Sequence, residues 1–231
     1  MTYSELPFHK FWERCGESHI HPSDQPFFDE YESEVKRIEE EKGIRHEKFL
    51  TKRYLPCPFD GPLYKAKVVV CLSNPNYPDP SNPEVEDNYA GVIKAQRSGC
   101  ADLPHEFDSK YYKRIAKVLD LELDQIRELV SIFNVCPYAS KKLEGLERRV
   151  AAGLPSVWAA QDHLRKELIP KALNGDIYLV IIRKHELWGV AERSEAKNLV
   201  VVRSRGIDGS MSEATGKQIK AWLKNKNFLK S

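Results

Sequence analysis

The chain reads as a single α/β domain, a three-layer α/β/α sandwich with a central four-stranded parallel sheet spanning residues 1–231. Three observations predict it: four short apolar runs rich in β-branched residues, amphipathic stretches between them, and a composition ordinary for one globular core. The runs are Lys67–Leu72, Leu129–Val135, Asp176–Ile182 and Asn198–Val202. Their length and near-continuous apolarity suit strands buried on both faces, as in a parallel sheet covered by helices.

The helices follow in order. LPFHKFWERC and FFDEYESEVKRIEEEKG form an N-terminal helical segment, residues 1–60, expected to pack on the sheet or its edge. EVKRIEEEK is most simply a solvated face with i,i+4 ion pairs. Asp108 can cap DSKYYKRIAKVLD, LDQIRELV follows, and PSVWAAQDHLRKELIPKAL precedes the third run. HELWGVAERS separates the third and fourth runs, and SEATGKQIKAWLKN lies after the fourth. Right-handed βαβ crossovers then join the strands. Residues 74–107 break this economy: they are rich in Pro, Asn, Asp and Gly and far exceed the roughly 2–6 residues of an ordinary βα connection, so they read as a long active-site loop.

With 231 residues, 41% hydrophobic and 30% charged, the chain can bury a substantial core. No apolar run approaches the roughly 20 residues of a membrane helix, and MTYSELPFHK lacks a basic segment followed by an apolar one. The expectation is a cytoplasmic protein with no membrane partner and a monomeric state. Cys15, Cys57, Cys71, Cys100 and Cys136 are scattered and form no C-x-x-C pair, which favours reduced thiols over disulfides or a metal site. His19 and His21 in HIHPSD read as surface residues around a turn. No metal and no cofactor are expected.

The net charge of +2 is unevenly spread. From Arg193 onward nine Lys/Arg stand against three Asp/Glu, a balance of +6, which leaves −4 on residues 1–192. A basic C-terminal quarter can seat a polyanion; equally, Lys217, Lys220, Lys224 and Lys226 can simply face water.

Ligands of open parallel sheets bind at the carboxyl ends of the strands, where loops and helix N-termini gather. Those ends carry Ser73, Asn74, Asn76 and Tyr77; Asn134, Cys136, Pro137 and Tyr138; Arg183, Lys184 and His185; and Arg203, Ser204 and Arg205. Carboxamides offer a donor beside an acceptor and aromatics a stacking face, a combination suited to a heterocyclic base, while the cations suit phosphates. Neither G-x-x-x-x-G-K-[ST] nor a G-x-G-x-x-G after the first strand is present, which disfavours P-loop and dinucleotide chemistry.

The segment RYLPCPFDGPLYKAKVVVCLSNPNYPDP resembles the first strand and first active-site motif of the uracil-DNA glycosylase superfamily. Leu72-Ser73-Asn74-Pro75-Asn76 matches the loop that ends the family's first strand. SIFNVCPY is similar to the strand ending in the Asn that reads the base, here Asn134. YLVIIRKHELWG is similar to the third strand, and NLVVVRSRGIDGSMS takes the place of the loop that enters the DNA minor groove. Two departures stand out: Ser73 replaces the usual Gly, and the family's histidine after the fourth strand is absent.

The resemblance implies a monofunctional DNA glycosylase that flips out a base and leaves an abasic site. Asn74 would orient the attacking water and Asn134 would pair with the base edge, although an Asx-turn and a strand-end cap explain the same residues. Tyr77 or Tyr89 would stack on the base, and Tyr138 would either line the pocket or stiffen the Pro137 turn. Arg203 and Ser204 would stand in for the histidine, and Arg205, Ser210, Ser212, Lys217 and Lys184 would hold DNA, with Ser210 or Ser212 otherwise an N-cap. Asp79 and Asp87 are the nearest carboxylates to the water. Asn76 stands where the uracil enzymes carry a Tyr that blocks the pyrimidine 5-position, so a base enlarged there, such as hydroxymethyl or glucosylated cytosine of phage type, is expected, with a role in defence. The competing expectations are a non-catalytic nucleic-acid or nucleotide-binding domain and a small-molecule hydrolase on the same sheet.

Overall fold

A computed structural model describes residues 7–43, 46, 49–75, 83–102, 110–140, 142–182, 184–191, 196–202 and 211–229, with backbone alone at 83–89 and 110. The chain is α/β. The helices are α1 (Phe8–Glu13), α2 (Gln25–Lys42), α3 (Pro83–Gln96), α4 (Lys110–Leu119), α5 (Leu123–Leu129), α6 (Gly145–Gly153), α7 (Pro155–His163), α8 (Ile169–Asn174) and α9 (Glu213–Asn225). The strands are β1 (Phe59–Asp60), β2 (Val68–Leu72), β3 (Val130–Asn134), β4 (Tyr178–Ile182) and β5 (Leu199–Val202).

The four apolar runs are the parallel strands β2 to β5, but the sheet as a whole is mixed and five-stranded, in the order β1-β3-β2-β4-β5. The expected four-stranded, wholly parallel sheet is thereby corrected. The fifth strand is the two-residue β1, antiparallel to β3, with Phe59 opposite Phe133 and Asp60 opposite Ile132. Two residues carry no readable periodicity, and β1 exists because the chain runs beside β3. Gly61 then turns away at φ 84°, where a Cβ would lie 2.7 Å from the Val130 carbonyl.

Period two assigns the two faces. Val69, Cys71, Phe133, Leu179 and Ile181 join one apolar cluster with α1, α2, α6 and α7, built around Phe8, Phe11, Trp12, Phe28 and Leu164. Val68, Val70, Val130, Ile132, Val180 and Ile182 join the other with Tyr112, Ile115 and Leu119 of α4, Ile126 of α5, and Ile219 and Trp222 of α9. Gly216 lets α9 close on α4, since any Cβ there would strike the Val118 carbonyl. The β2-to-β3 connection thus packs on one face and the β3-to-β4 connection on the other. The order reverses about β2, so the carboxyl ends of β2 and β4 flank a topological switch point.

Part of the expected long loop, residues 74–107, is helix: α3 begins at Pro83, whose fixed φ suits a first turn, and it buries Ile93 and Gln96 near its end. The predicted helix 155–173 is interrupted by a π-helical segment, Leu164–Leu168, just before Pro170, which lacks the N–H that an α-helical ladder needs. The α2 charges pair as expected, with Arg37 2.8 Å from Glu34 and 2.9 Å from Glu41.

The N-terminal segment is bolted to the domain by buried polar contacts. His21 is a core residue rather than the expected surface one: its ring stacks on Phe11 at 4.0 Å, Nδ1 accepts from Ser23 N, and Nε2 therefore donates to the Phe11 carbonyl at 3.0 Å. His19 is exposed. Asp24 is completely buried, accepting from Tyr138 OH at 2.6 Å and from the backbone N–H of Ser156, in the first turn of α7, at 3.0 Å. Burial pushes its carboxyl pKa up against those donors. Asp24→Ala strands both donors and is expected to lower the unfolding free energy by about 2 kcal/mol, read from urea midpoints; an unchanged midpoint would rule out this anchoring role.

Among the described residues no helix is long and apolar enough to cross a membrane, and no group of three or more His, Cys, Asp or Glu could hold a metal ion.

Candidate functional site

Adjacent parallel strands β2 and β3 end in register, with Leu72 opposite Asn134. Beyond the ladder the two chains stay joined: Val135 N donates to the Leu72 carbonyl at 3.1 Å and Cys136 N to the Ser73 carbonyl at 2.9 Å. This zipper brings Asn74 beside the turn that follows Asn134.

Asn74 is half-buried and its amide is held on several sides. Nδ2 donates to the Ser140 carbonyl at 3.1 Å, to Ser140 Oγ at 3.2 Å and to the Pro75 carbonyl at 3.2 Å. Oδ1 accepts from Ser73 Oγ at 2.9 Å. The donors are saturated, while an sp2 oxygen with two lone pairs keeps one for a further N–H or O–H. Ser73 therefore acts directly on the Asn74 oxygen.

Asn134 is 1% exposed, and its Nδ2 donates to the Cys57 carbonyl at 3.1 Å. Its Oδ1 has no hydrogen-bond partner among the described residues. A buried carbonyl oxygen left without a donor is costly by about 1–3 kcal/mol, which is why such groups mark a place for water or ligand. Only one N–H of Nδ2 is committed, so among the described residues the amide keeps a donor beside this acceptor.

The turn that carries Ser140 is fixed from below. Leu50 N donates to the Ala139 carbonyl and Cys57 N to the Pro137 carbonyl. Tyr138 is fully buried against Phe28 and Phe49, gives its hydroxyl proton to Asp24 and accepts from His21 N at 3.0 Å. Its expected pocket-lining role is corrected to a scaffold role that includes stiffening the Pro137 turn. Sequence held no sign of this, because the partners lie more than 100 residues away.

Ser212 caps α9, its Oγ accepting from Thr215 N at 3.1 Å. Lys217 is exposed on α9. Lys184 has a left-handed φ of 46°; its carbonyl accepts from Leu187 N, and its Nζ lies 4.0 Å from Glu144. His185 Nδ1 is 3.6 Å from Glu186. Asn76, Tyr77, Asp79, Arg183, Arg203, Ser204, Arg205 and Ser210, together with Asp108, lie outside the described residues. So do the side chains of Tyr89 and Asp87, whose backbone belongs to α3.

Thiol chemistry is disfavoured here: Cys136 is buried and its pKa is pushed up to about 12, and burial raises Cys71 as well. The carboxyl that sequence reasoning missed is Asp60. Its pKa is raised to about 6 by burial, against one hydrogen bond from Cys57 Sγ at 3.2 Å. Only the antiparallel pairing of β1 with β3 brings it near Asn134, so no local pattern could have found it.

Comparison of the chain with family models, with curated proteins and with solved structures gives no match.

Proposed function

We propose that this protein is a DNA glycosylase that takes a modified or damaged base out of the stack and hydrolyses its N-glycosidic bond, leaving an abasic site. The observation that carries the reading is the pair of carboxamides at the registered ends of β2 and β3. Among the described residues one, Asn74, is held on several sides with a lone pair left on Oδ1, and the other, Asn134, has a buried oxygen without a donor. A three-layer sandwich of the uracil-DNA glycosylase type belongs to the same proposal, supported by helices packed on both faces of the sheet.

In the reaction the C1′–N bond breaks with its electron pair passing to the base, and a water oxygen bonds to C1′ as its proton is released. Asn74 Oδ1 would accept a hydrogen bond from that water and fix its approach, which is catalysis by positioning. An amide does not take up the proton, so a base that leaves readily as an anion suits this site, with donors after β5 stabilising it. The substrate class proposed is a pyrimidine enlarged at the 5-position.

The test is incubation with oligonucleotides carrying uracil, hypoxanthine, 5-hydroxymethylcytosine or its glucosylated form, then alkaline cleavage and mass analysis of released bases. Release of an enlarged pyrimidine faster than uracil is expected. Uracil released as fast as any other base would end the substrate assignment, and no release from any DNA would end the enzymatic one.

A second reading has its own observation. The Asn74 amide is already satisfied by Ser73, Pro75 and Ser140, as a purely structural Asn would be, which favours a nucleic-acid-binding domain of the same fold without catalysis.

A further inference from the structure

We infer that Arg97 forms an anion site, holding a phosphate group on the Nε–Nη2 edge of its guanidinium, between the end of α3 and the loop that follows α1. The inference stands apart from the glycosylase reading.

The side chain is placed by its neighbours. Arg97 directly follows α3, and its N–H donates to the Ile93 carbonyl at 3.2 Å, continuing the last turn. Ile93 is buried in a small cluster with Tyr54, Leu55, Cys57 and Ala139. Gln96 accepts from Gly61 N and donates to the carbonyls of Ala101 and Asp102, so this end of the helix is fixed. From it Arg97 Nη1 donates to the Gly16 carbonyl, and Lys94 Nζ lies 2.7 Å from Glu17 Oε1. Two cations of one helix end thus reach the same loop.

Only Lys94 is neutralised there. Arg97 is 8% exposed, and its Nε and Nη2 are buried with no hydrogen-bond partner among the described residues. The nearby groups able to carry negative charge are engaged elsewhere. Glu17 is taken by Lys94, and Asp24 accepts on both oxygens, from Tyr138 OH and Ser156 N. The Cys15 thiol donates to the Ser18 carbonyl at 3.3 Å, and burial keeps it protonated against the pull of the guanidinium beside it. The His21 ring has both nitrogens committed within the fold. A guanidinium enclosed without a counter-charge is costly, and buried N–H groups left unpaired point to a ligand.

The geometry of the free edge selects the class of ligand. With Nη1 spent on Gly16, what remains is the side-on edge, where Nε–H and one Nη2–H run parallel. Such an edge meets two oxygens of one phosphate or carboxylate. Besides its burial, the His21 ring feels the charges of both Arg14 and Arg97, so a third cation stands at this loop and favours the more highly charged phosphate. Gly16 is exposed, and a Cβ built on it meets no atom within 4 Å, so the guanidinium it holds lies close to open surface.

The test is the melting temperature of the full chain in inorganic phosphate, in acetate and in chloride at matched ionic strength, with a dithymidine phosphodiester as a further arm. For a dissociation constant of about 1 mM, about 10 mM phosphate is expected to raise the melting temperature by about 3 °C over chloride. Arg97→Lys keeps the charge but lacks the edge and should lose most of that rise, and Arg97→Met should lose all of it. Because either variant can fold poorly, the Arg97 Nε–H resonance is also followed by NMR in the wild type, where phosphate should move it. An equal rise with the dithymidine assigns the phosphate to a nucleic-acid backbone, and a rise with inorganic phosphate alone assigns it to the free ion. No rise over chloride, an equal rise in acetate, an undiminished rise in Arg97→Met or an unmoved Nε–H resonance overturns the site. None of these results touches base release, which the substrate panel decides by itself.

Discussion

If the protein is the glycosylase proposed above, Asn74→Ala is expected to slow base release at least about 100-fold while leaving affinity for DNA within about twofold, because the amide would act on the water and not on the duplex. The magnitude follows from what the side chain is held for. Ser140 presents both its carbonyl and its hydroxyl to Nδ2, which fixes the rotamer and leaves Oδ1 with one lone pair beside the Ser73 contact. Alanine removes the acceptor that would orient the nucleophile. A purely structural Asn74 predicts something else: the melting temperature drops and any activity falls only with the folded fraction. Single-turnover rates on the best substrate, with a melting curve for each variant, separate the two; a variant that keeps near-wild-type turnover when folded would remove Asn74 from the mechanism.

His163→Phe is expected to change the acid stability of the protein by about 2–3 kcal/mol relative to its effect at neutral pH. His163 is buried in α7 among aromatic rings, stacked on Phe8 at 5.0 Å with Phe133 and Tyr64 edge-on, and its Nε2 has no hydrogen-bond partner among the described residues. Burial is the main cause that lowers its pKa to about 4, with the Lys171 charge adding to it. The folded protein therefore resists protonating His163 more than the unfolded chain does. Its contribution to stability is complete above about pH 6.5 and is lost as pH falls towards 4. His21, also lowered chiefly by burial, acts in the same direction.

Asp60 and Asp24 act oppositely, because the folded state raises both carboxyl pKa values and so binds their protons more tightly. The cost of ionising Asp60 in place is present above about pH 6 and is relieved as pH falls towards 4. The wild-type stability is thus a partial cancellation over one pH window. Phenylalanine at 163 removes the acid-labile partner, so the variant should gain on the wild type as pH drops from 7 to 4.5. Urea denaturation of both proteins at the two pH values measures that gain, whatever the cost of the substitution at neutral pH. An equal difference at both values would show that His163 does not titrate with folding.

What the sequence determined by itself is the set of parallel strands and most helices. Each apolar run is self-sufficient as a signal, because a strand covered by helices must be largely apolar, as Val68–Leu72, Tyr178–Ile182 and Leu199–Val202 are, and Val130–Asn134 apart from Ser131 and Asn134. The ends of β2 and β3 were legible for the same reason, and with them Asn74 and Asn134 as neighbours. The helix α3 was hidden by loop-forming residues around it, and β1 by its two-residue length. What only the tertiary structure decided is which polar atoms are spoken for. Tyr138 is taken by Asp24 and Asn134 Nδ2 by the Cys57 carbonyl, while Asp60 is brought opposite Ile132 by an antiparallel edge. Hydrophobic periodicity is local and survives in the sequence. Hydrogen-bond partnership joins residues 66 to more than 100 positions apart, and a one-dimensional pattern carries no trace of it.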